Sequence, residues 1–347
     1  MAPDNRDSLI QWLEVRNFRG IEHVRLEGLG RVNLIVGKNG IGKTSLLEAI
    51  RFYVTGGEPS ALLDTLVGRD ETLNLPVGAS ETIDPGSSPL LSLLPGRPQL
   101  AEVMSRIAVC SNLGVLNAWI KWKSDNPVFV LDGEAARVTS LDWALRRLAR
   151  LPPPPLQPLP DSCLFVGTNG VRPEEWAAMW DAIVLTDTED ELIKSVRFLT
   201  PGIERLSLIG SGNRAIRIPM AKVSGFSSPV PFKGLGDGVN RALGLLVALA
   251  SVRGGVLLVD EIENGIHYSA QDGLWRLLID AAVRFNVQIF ATTHSSDCIR
   301  AFQRATAAVP GPTGVLTRLE QRKGKIVATQ FDEDELRIAG TESIEVR

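Results

Sequence analysis

Cysteine is scarce in this chain of 347 residues: Cys110, Cys163 and Cys298 are the three present, odd in number and far apart. That spacing makes neither a disulfide framework nor a zinc knuckle, and a reducing cytoplasm is the expected setting. Long apolar runs are missing as well. The longest, Ala242–Val252, has eleven residues between two arginines, well short of the roughly 20 that cross a bilayer, so it reads as a buried helix and no membrane is expected as a partner. The N-terminus carries Asp4, Arg6 and Asp7 with no apolar run behind them, which is not the order of a signal peptide. Neither sign of charge dominates, with 37 Lys and Arg against 40 Asp and Glu and a net charge of -3. Contact with DNA therefore requires a local patch. With 44% hydrophobic and 22% charged residues, the chain is neither disordered nor of low complexity. Its length suits about two domains at roughly 150 residues each.

The first fifty residues alternate short extended stretches with turns. Leu13–Phe18 and His23–Leu26 read as strands around an Arg19-Gly20 turn, and Val32–Val36 as a strand buried on both faces of a parallel sheet. From Lys43 the period becomes helical, with Leu46, Leu47, Ile50 and Val54 on one face. From Gly56 to Gln99 no period is sustained, and a long, partly mobile insertion is expected, loosest over residues 73–98. A hairpin (Val115–Lys123 with Pro127–Leu131) and a basic helix (Leu141–Leu151) follow, then Pro152–Pro160, whose six prolines in nine residues make an extended spacer. Leu164–Val166 reads as a strand, Pro173–Leu185 and Glu189–Phe198 as helices. Val256–Val259, Gly273–Phe285 and Val287–Ala291 form a strand-helix-strand unit of a parallel sheet.

Three segments carry chemistry. Gly37-Lys38-Asn39-Gly40-Ile41-Gly42-Lys43-Thr44 matches G-x-x-x-x-G-K-[ST] between a buried strand and a helix. Its amides, with Ser45 beyond them, cradle phosphate oxygens, Lys43 meets the β- and γ-phosphates of ATP, and Thr44 offers a hydroxyl to Mg²⁺. Asp260 and Glu261 end the apolar run Val256–Val259, which puts two acids at the carboxyl end of a buried strand. Asp260 is suited to the Mg²⁺ and Glu261 to polarising the attacking water. His294 follows the next strand, where a neutral donor meets a γ-phosphate and that water. For His267, helix capping or a subunit contact explains the residue as well as a role in the chemistry does. A second Gly-rich helix start, Gly234-Leu235-Gly236-Asp237-Gly238, offers amides to another anion, and a partner's nucleotide is the natural candidate; a tight helix cap on the sheet is the plainer reading.

In this order the segments resemble the ATPase core of the ABC superfamily, and within it the RecF, SMC and OLD-like branch. Leu13-Glu14-Val15-Arg16-Asn17-Phe18-Arg19-Gly20 is similar to that branch's opening strand, which adds Arg19 to the nucleotide ligands. Asp260-Glu261-Ile262-Glu263-Asn264-Gly265-Ile266-His267 is similar to its Walker B and D-loop, unlike those of membrane transporters. The Gly234–Gly238 segment, which stands where the branch has its signature segment, departs from it in lacking a serine near its first glycine.

The resemblance implies an α/β fold: a P-loop NTPase with an ABC-ATPase-type head, a mixed or parallel central sheet, an N-terminal antiparallel β-subdomain and an inserted helical lobe. Residues 1–56 and 228–303 would form the core, 57–227 the insertion and 304–347 a helix and strand extension. It also implies an Mg²⁺-dependent ATPase whose homodimer sandwiches ATP between one subunit's Lys43 and the other's Gly236, Asp237 and Gly238. Such a dimer acts as a switch on DNA or on a separate effector, in phage defence or DNA repair. Only 53 residues follow His294, too few for the Toprim nuclease domain that OLD-like proteins carry, so a nuclease effector is expected as another chain. An ATP-holding scaffold with negligible turnover is the alternative. Arg137, Arg146, Arg147 and Arg150 are the candidates for DNA phosphates.

Overall fold

A computed structural model describes residues 10–71, 89–96, 106–123, 126–132, 138–139, 163–200, 202–210, 217–308, 314–331 and 335. The proline spacer, the basic helix with its arginines, most of the 73–98 stretch and residues 332–334 lie outside them. The strands are β1 (Leu13–Phe18), β2 (Ile21–Leu26), β3 (Val32–Val36), β4 (Arg106–Ser111), β5 (Gly114–Lys123), β6 (Asn126–Asp132), β7 (Val138–Thr139) and β8 (Cys163–Val166), followed by β9 (Ile203–Gly210), β10 (Arg217–Val223), β11 (Val230–Pro231), β12 (Val256–Val259), β13 (Gln288–Thr292), β14 (Gly314–Arg322) and β15 (Lys325–Phe331). The helices are α1 (Lys43–Val54), α2 (Pro59–Val67), α3 (Pro173–Asp181), α4 (Asp187–Leu199), α5 (Asp237–Ser251), α6 (Tyr268–Arg284) and α7 (Ser296–Thr306). Two compact units result. Residues 1–29, 38–159 and 319–330 make the first; residues 30–37, 160–318 and 331–347 make the second.

In the first unit an antiparallel sheet runs β2-β1-β4-β5-β6-β7, the N-terminal β-subdomain that the resemblance implied. Leu13 and Val15 point inward and are fully buried, and α1 packs on β1 and β4 through its apolar side. The expected insertion is more ordered at its ends than the sequence suggested. Pro59–Val67 is the helix α2, with proline at its first position and Leu62 and Leu66 buried, and Pro89–Leu93 forms a buried 3-10 turn. The flanking Gly56-Gly57 and Gly68 hid this helix, which is too short to show a period.

The second unit is built on the parallel strands β14-β3-β13-β12-β8, which belong to a six-stranded sheet whose remaining edge strand is β15. Every residue of β3, β12 and β13 is buried, the pattern of strands covered on both faces. The crossover from β12 to β13 runs through α6, which starts at Tyr268 rather than at the expected Gly273 because His267 caps it. α3 stops at Asp181, short of the expected Leu185, which has φ 61 and is exposed. A three-stranded sheet, β11-β10-β9, was not anticipated. Residues 57–227 are thus mixed: beside the helices α2, α3 and α4 they hold the strands β4–β10, of which β4–β7 extend the antiparallel sheet begun by β1 and β2. No helix among the described residues is long and apolar enough to cross a membrane.

Candidate functional site

Parallel strands present their carboxyl ends to ligands, and the first of these ends leads into the glycine loop. Gly37, Gly40 and Gly42 take φ 144, 75 and 105, values open to glycine and costly for any residue with a Cβ. Gly42 occupies the position before α1 in the left-handed region, and no side chain caps the helix. No acidic residue stands in the first turn of α1, so the partial positive charge of this helix start is not offset there. Lys38, Asn39 and Gly40 are exposed, Ile41, Gly42 and Thr44 half-buried, Lys43 and Ser45 buried. The Lys43 ammonium folds back over the loop to donate to the Lys38 carbonyl at 3.2 Å.

Beside this loop, and within the first unit, lies a cleft of about 540 Å³ lined by Gly20, Gly40, Gly42, Ser45, Arg69 and Gly324, among others. Arg19 reaches its wall from the β1–β2 turn, where it holds φ 51. Its guanidinium is buried and committed to carboxylates: Nε is 2.5 Å from Glu48 Oε2, and Nη1 is 3.0 Å from Glu71 Oε1. Arg69 holds the other oxygen of Glu48 at 2.7 Å. Burial pushes the Glu48 carboxyl up despite both arginines. Burial acts the same way on Glu71, but the hydrogen bonds from Arg19 and Ser92 outweigh it and hold that carboxyl below its usual range. The sequence placed Arg19 among the nucleotide ligands; here its charge is already matched by protein carboxylates.

In the second unit the acidic strand end is tightly organised. Thr292, fully buried at the end of β13, donates from Oγ1 to Asp260 Oδ1 at 2.5 Å and accepts from the Glu261 amide at 2.9 Å. Glu261 has φ 48, an uncommon conformation for a non-glycine residue that turns its side chain out of the strand. His294 stands next to it, with Nδ1 3.6 Å from Glu261 Oε1. The His294 amide donates to Glu263 Oε1 at 3.1 Å. From α5, the buried Arg241 donates to the carbonyls of Gly167, Asp260 and Glu261. Burial pulls this guanidinium below its ordinary range, and the charges of Glu263, Asp260 and Glu261 push back.

The second Gly-rich segment does open a helix, but α5 begins at Asp237, ahead of the apolar run. Gly236 precedes it with φ 99 and ψ 149 and no side chain caps it, a backbone that would strain a serine there. Asp237 is exposed in the first turn. Gly238 lies against the Gly265 carbonyl, which an added Cβ would meet at 3.4 Å. A cavity of about 310 Å³ opens beside this helix start, lined by Thr168, Asn169, Lys233, Asp237, Asn240 and Arg241. His267 caps α6, pairing with Ser269 Oγ at 2.9 Å. That satisfies the capping alternative for this residue.

Several of these residues carried no signal of their own in the sequence. Thr292 and Arg241 act through groups brought beside them by β-pairing and helix packing, and Glu263 differs from an ordinary loop acid only by its burial. The one available hint was polarity: Thr292-Thr293 ends an otherwise apolar strand. The candidate Mg²⁺ ligands, Thr44 and Asp260, are one hydroxyl and one carboxylate, and no cluster of three or more His, Cys, Asp or Glu suited to a metal occurs among the described residues. A hydroxyl and a carboxylate are each hard oxygen donors of the kind Mg²⁺ takes alongside waters and substrate phosphates.

A family described as "AAA domain, putative AbiEii toxin, Type IV TA system" matches residues 186–297, and a second AAA-domain family matches residues 13–74. An "ATP/GTP phosphatase" of Helicobacter pylori is 22% identical over 84% of this chain and 86% of its own length. A RecF DNA replication and repair protein of Thioalkalivibrio sulfidiphilus is 50% identical over 48 residues, which cover 14% of this chain and 13% of RecF. Among solved structures, an SMC head bound to the C-terminal winged-helix domain of ScpA is similar in fold, with a TM-score of 0.53 at 15% identity over 95% of this chain and 99% of that one. The glycine loop falls within the 13–74 match, and Asp260, Glu261 and His294 fall within the 186–297 match, so the chain is similar in sequence to AAA domains and to RecF, and in fold to an SMC head.

Proposed function

We propose that this chain is an ABC-superfamily ATPase of the RecF/SMC-like type that works as an Mg²⁺-dependent switch. In this reading two copies close head to head on ATP, and the closed dimer acts on DNA or on a separate effector such as a Toprim-type nuclease. The observation that carries the reading is the pairing of Glu261 with His294 beside a buried Asp260. In that arrangement Glu261 polarises the water, His294 stands at its flank, and Thr292 holds the Asp260 and Glu261 backbone in register. Mg²⁺, when bound by Thr44 and Asp260, supplies charge neutralisation on the phosphates. Lys43, released from the Lys38 carbonyl, meets the phosphates, and the uncapped start of α5 faces the partner's nucleotide with Gly236, Asp237 and Gly238. DNA repair and phage defence are the settings supported by the RecF relatives and by the toxin family named above. A second reading, a scaffold that holds ATP with negligible turnover, is favoured by one feature: no side-chain hydroxyl caps the α5 start.

The test is the solution mass of Glu261→Gln by light scattering, with and without ATP and Mg²⁺. This substitution removes the water-polarising carboxylate and keeps the phosphate contacts, so ATP is trapped. Doubling of the mass only when ATP and Mg²⁺ are present is the expected result. An unchanged mass while ATP binds would remove the α5 start as a site for a partner's phosphate. ATP turnover by the wild type at a rate equal to Glu261→Gln would favour the scaffold.

A further inference from the structure

Beyond the residues assigned so far, we propose that Glu263 is a positioning residue for hydrolysis: its carboxylate sets which nitrogen of His294 carries the hydrogen. The proposal rests on the reading of His294 as a flank of the attacking water.

Glu263 is buried at 8% exposure, on a loop with no need of a charge for solubility. Its Oε1 accepts the His294 amide at 3.1 Å and lies 3.5 Å from His294 Nδ1, while Glu261 Oε1 lies 3.6 Å from the same nitrogen. At these lengths neither ring contact is a formed hydrogen bond, but both set the field at Nδ1. Ionised carboxylates accept and never donate. A lone pair on Nδ1 would face two negative oxygens; a hydrogen there faces two acceptors. The neutral ring therefore carries its hydrogen on Nδ1 and presents the Nε2 lone pair outward, on a side chain that is 44% exposed. This changes the role expected from the sequence. His294 in its neutral form accepts from the attacking water through Nε2 and does not donate to it.

Two further observations fit a carboxylate kept for this purpose. Glu263 Oε2 is buried without a hydrogen-bond partner, a costly state in a protein interior. Arg241 compensates the charge from α5, since Glu263 is the strongest of the carboxylates acting on its guanidinium. The loop is also fixed from both sides, with the Ile262 amide bonded to the Thr292 carbonyl at 3.1 Å and the Ile266 amide to the Glu263 carbonyl at 2.9 Å. The carboxylate thus sits in a preset position before any nucleotide arrives.

The test uses the full chain without nucleotide, labelled with ¹⁵N. Three histidines are present, His23, His267 and His294, so long-range ¹H–¹⁵N spectra assign each ring by single substitution. Wild-type His294 is expected to show its hydrogen on Nδ1, and Glu263→Gln, whose amide can donate to that nitrogen, to move it to Nε2. In turnover, Glu263→Gln should lower kcat about 10- to 100-fold, the usual loss on removing an orienting partner, with KM for ATP within about twofold. A wild-type ring with its hydrogen on Nε2 overturns the proposal even if the variant fails to fold. So does an unchanged tautomer in Glu263→Gln. If instead the ring responds as expected while His294→Ala leaves turnover intact, the tautomer assignment stands and the role given to His294 is what fails.

Discussion

Thr292→Val isolates the contact on which the acidic strand end depends. Valine matches threonine in shape and removes one hydroxyl. In the wild type that hydroxyl donates to Asp260 Oδ1 at 2.5 Å and accepts from the Glu261 amide at 2.9 Å, with Thr292 fully buried. A hydrogen bond to a charged group contributes about 1.5 to 3 kcal/mol, and a buried amide left unpaired costs about 1 to 3 kcal/mol. One group makes both bonds, so the two are not independent, and a loss of about 3 kcal/mol is expected, about 150-fold in the local folding equilibrium. Thr292→Ser is the control: it keeps the hydroxyl and loses one methyl, for about 1 kcal/mol. Urea unfolding measures both variants, and amide hydrogen exchange at Glu261 reads the contact directly. Thr292→Val should also lose more turnover than Thr292→Ser, because Asp260 and the Glu261 backbone are no longer held in register. If valine proves as stable as serine, with the Glu261 amide equally protected, the hydroxyl does not organise this strand end.

Other outcomes follow from the same geometry. Lys43→Ala should abolish ATP turnover, since each charged hydrogen bond to phosphate contributes about 1.5 to 3 kcal/mol; wild-type rates in that variant would mean the glycine loop is not the phosphate site. Glu261→Gly should raise stability by about 1 kcal/mol by relieving φ 48 while removing turnover; a less stable variant would show that the backbone there is unstrained. Arg19→Ala should destabilise the first unit by about 3 to 5 kcal/mol, because Glu48 and Glu71 lose a buried partner; a small change in melting with a large loss of ATP affinity would restore Arg19 as a nucleotide ligand. Burial pushes the Cys298 thiol from the ordinary 9.0 up to about 12. The folded form therefore keeps its proton where the unfolded form loses it, so this contribution to stability is full below pH 9.0 and is lost as the pH rises toward about 12. Cys298 should accordingly resist alkylation until the protein unfolds, and rapid labelling of native Cys298 would contradict its burial.

Local physics wrote much of this protein into its sequence. Val32–Val36 and Val256–Val259 read as strands covered on both faces because nearly every residue is apolar and branched, and the glycine loop is legible because closely spaced positive φ values leave little choice but glycine. Lys43, Asp260, Glu261 and His294 could be singled out because each follows directly on such a strand or loop. The structure decided what depends on residues distant in the chain. Arg19 meets Glu71 across 52 positions and Thr292 meets Asp260 across 32. Arg241 finds the carbonyls of Gly167 and Asp260 only when a helix packs against two neighbouring strand ends. No period or motif encodes such pairs, because each is chosen by the register of a parallel sheet and by the cost of leaving a buried charge without a partner.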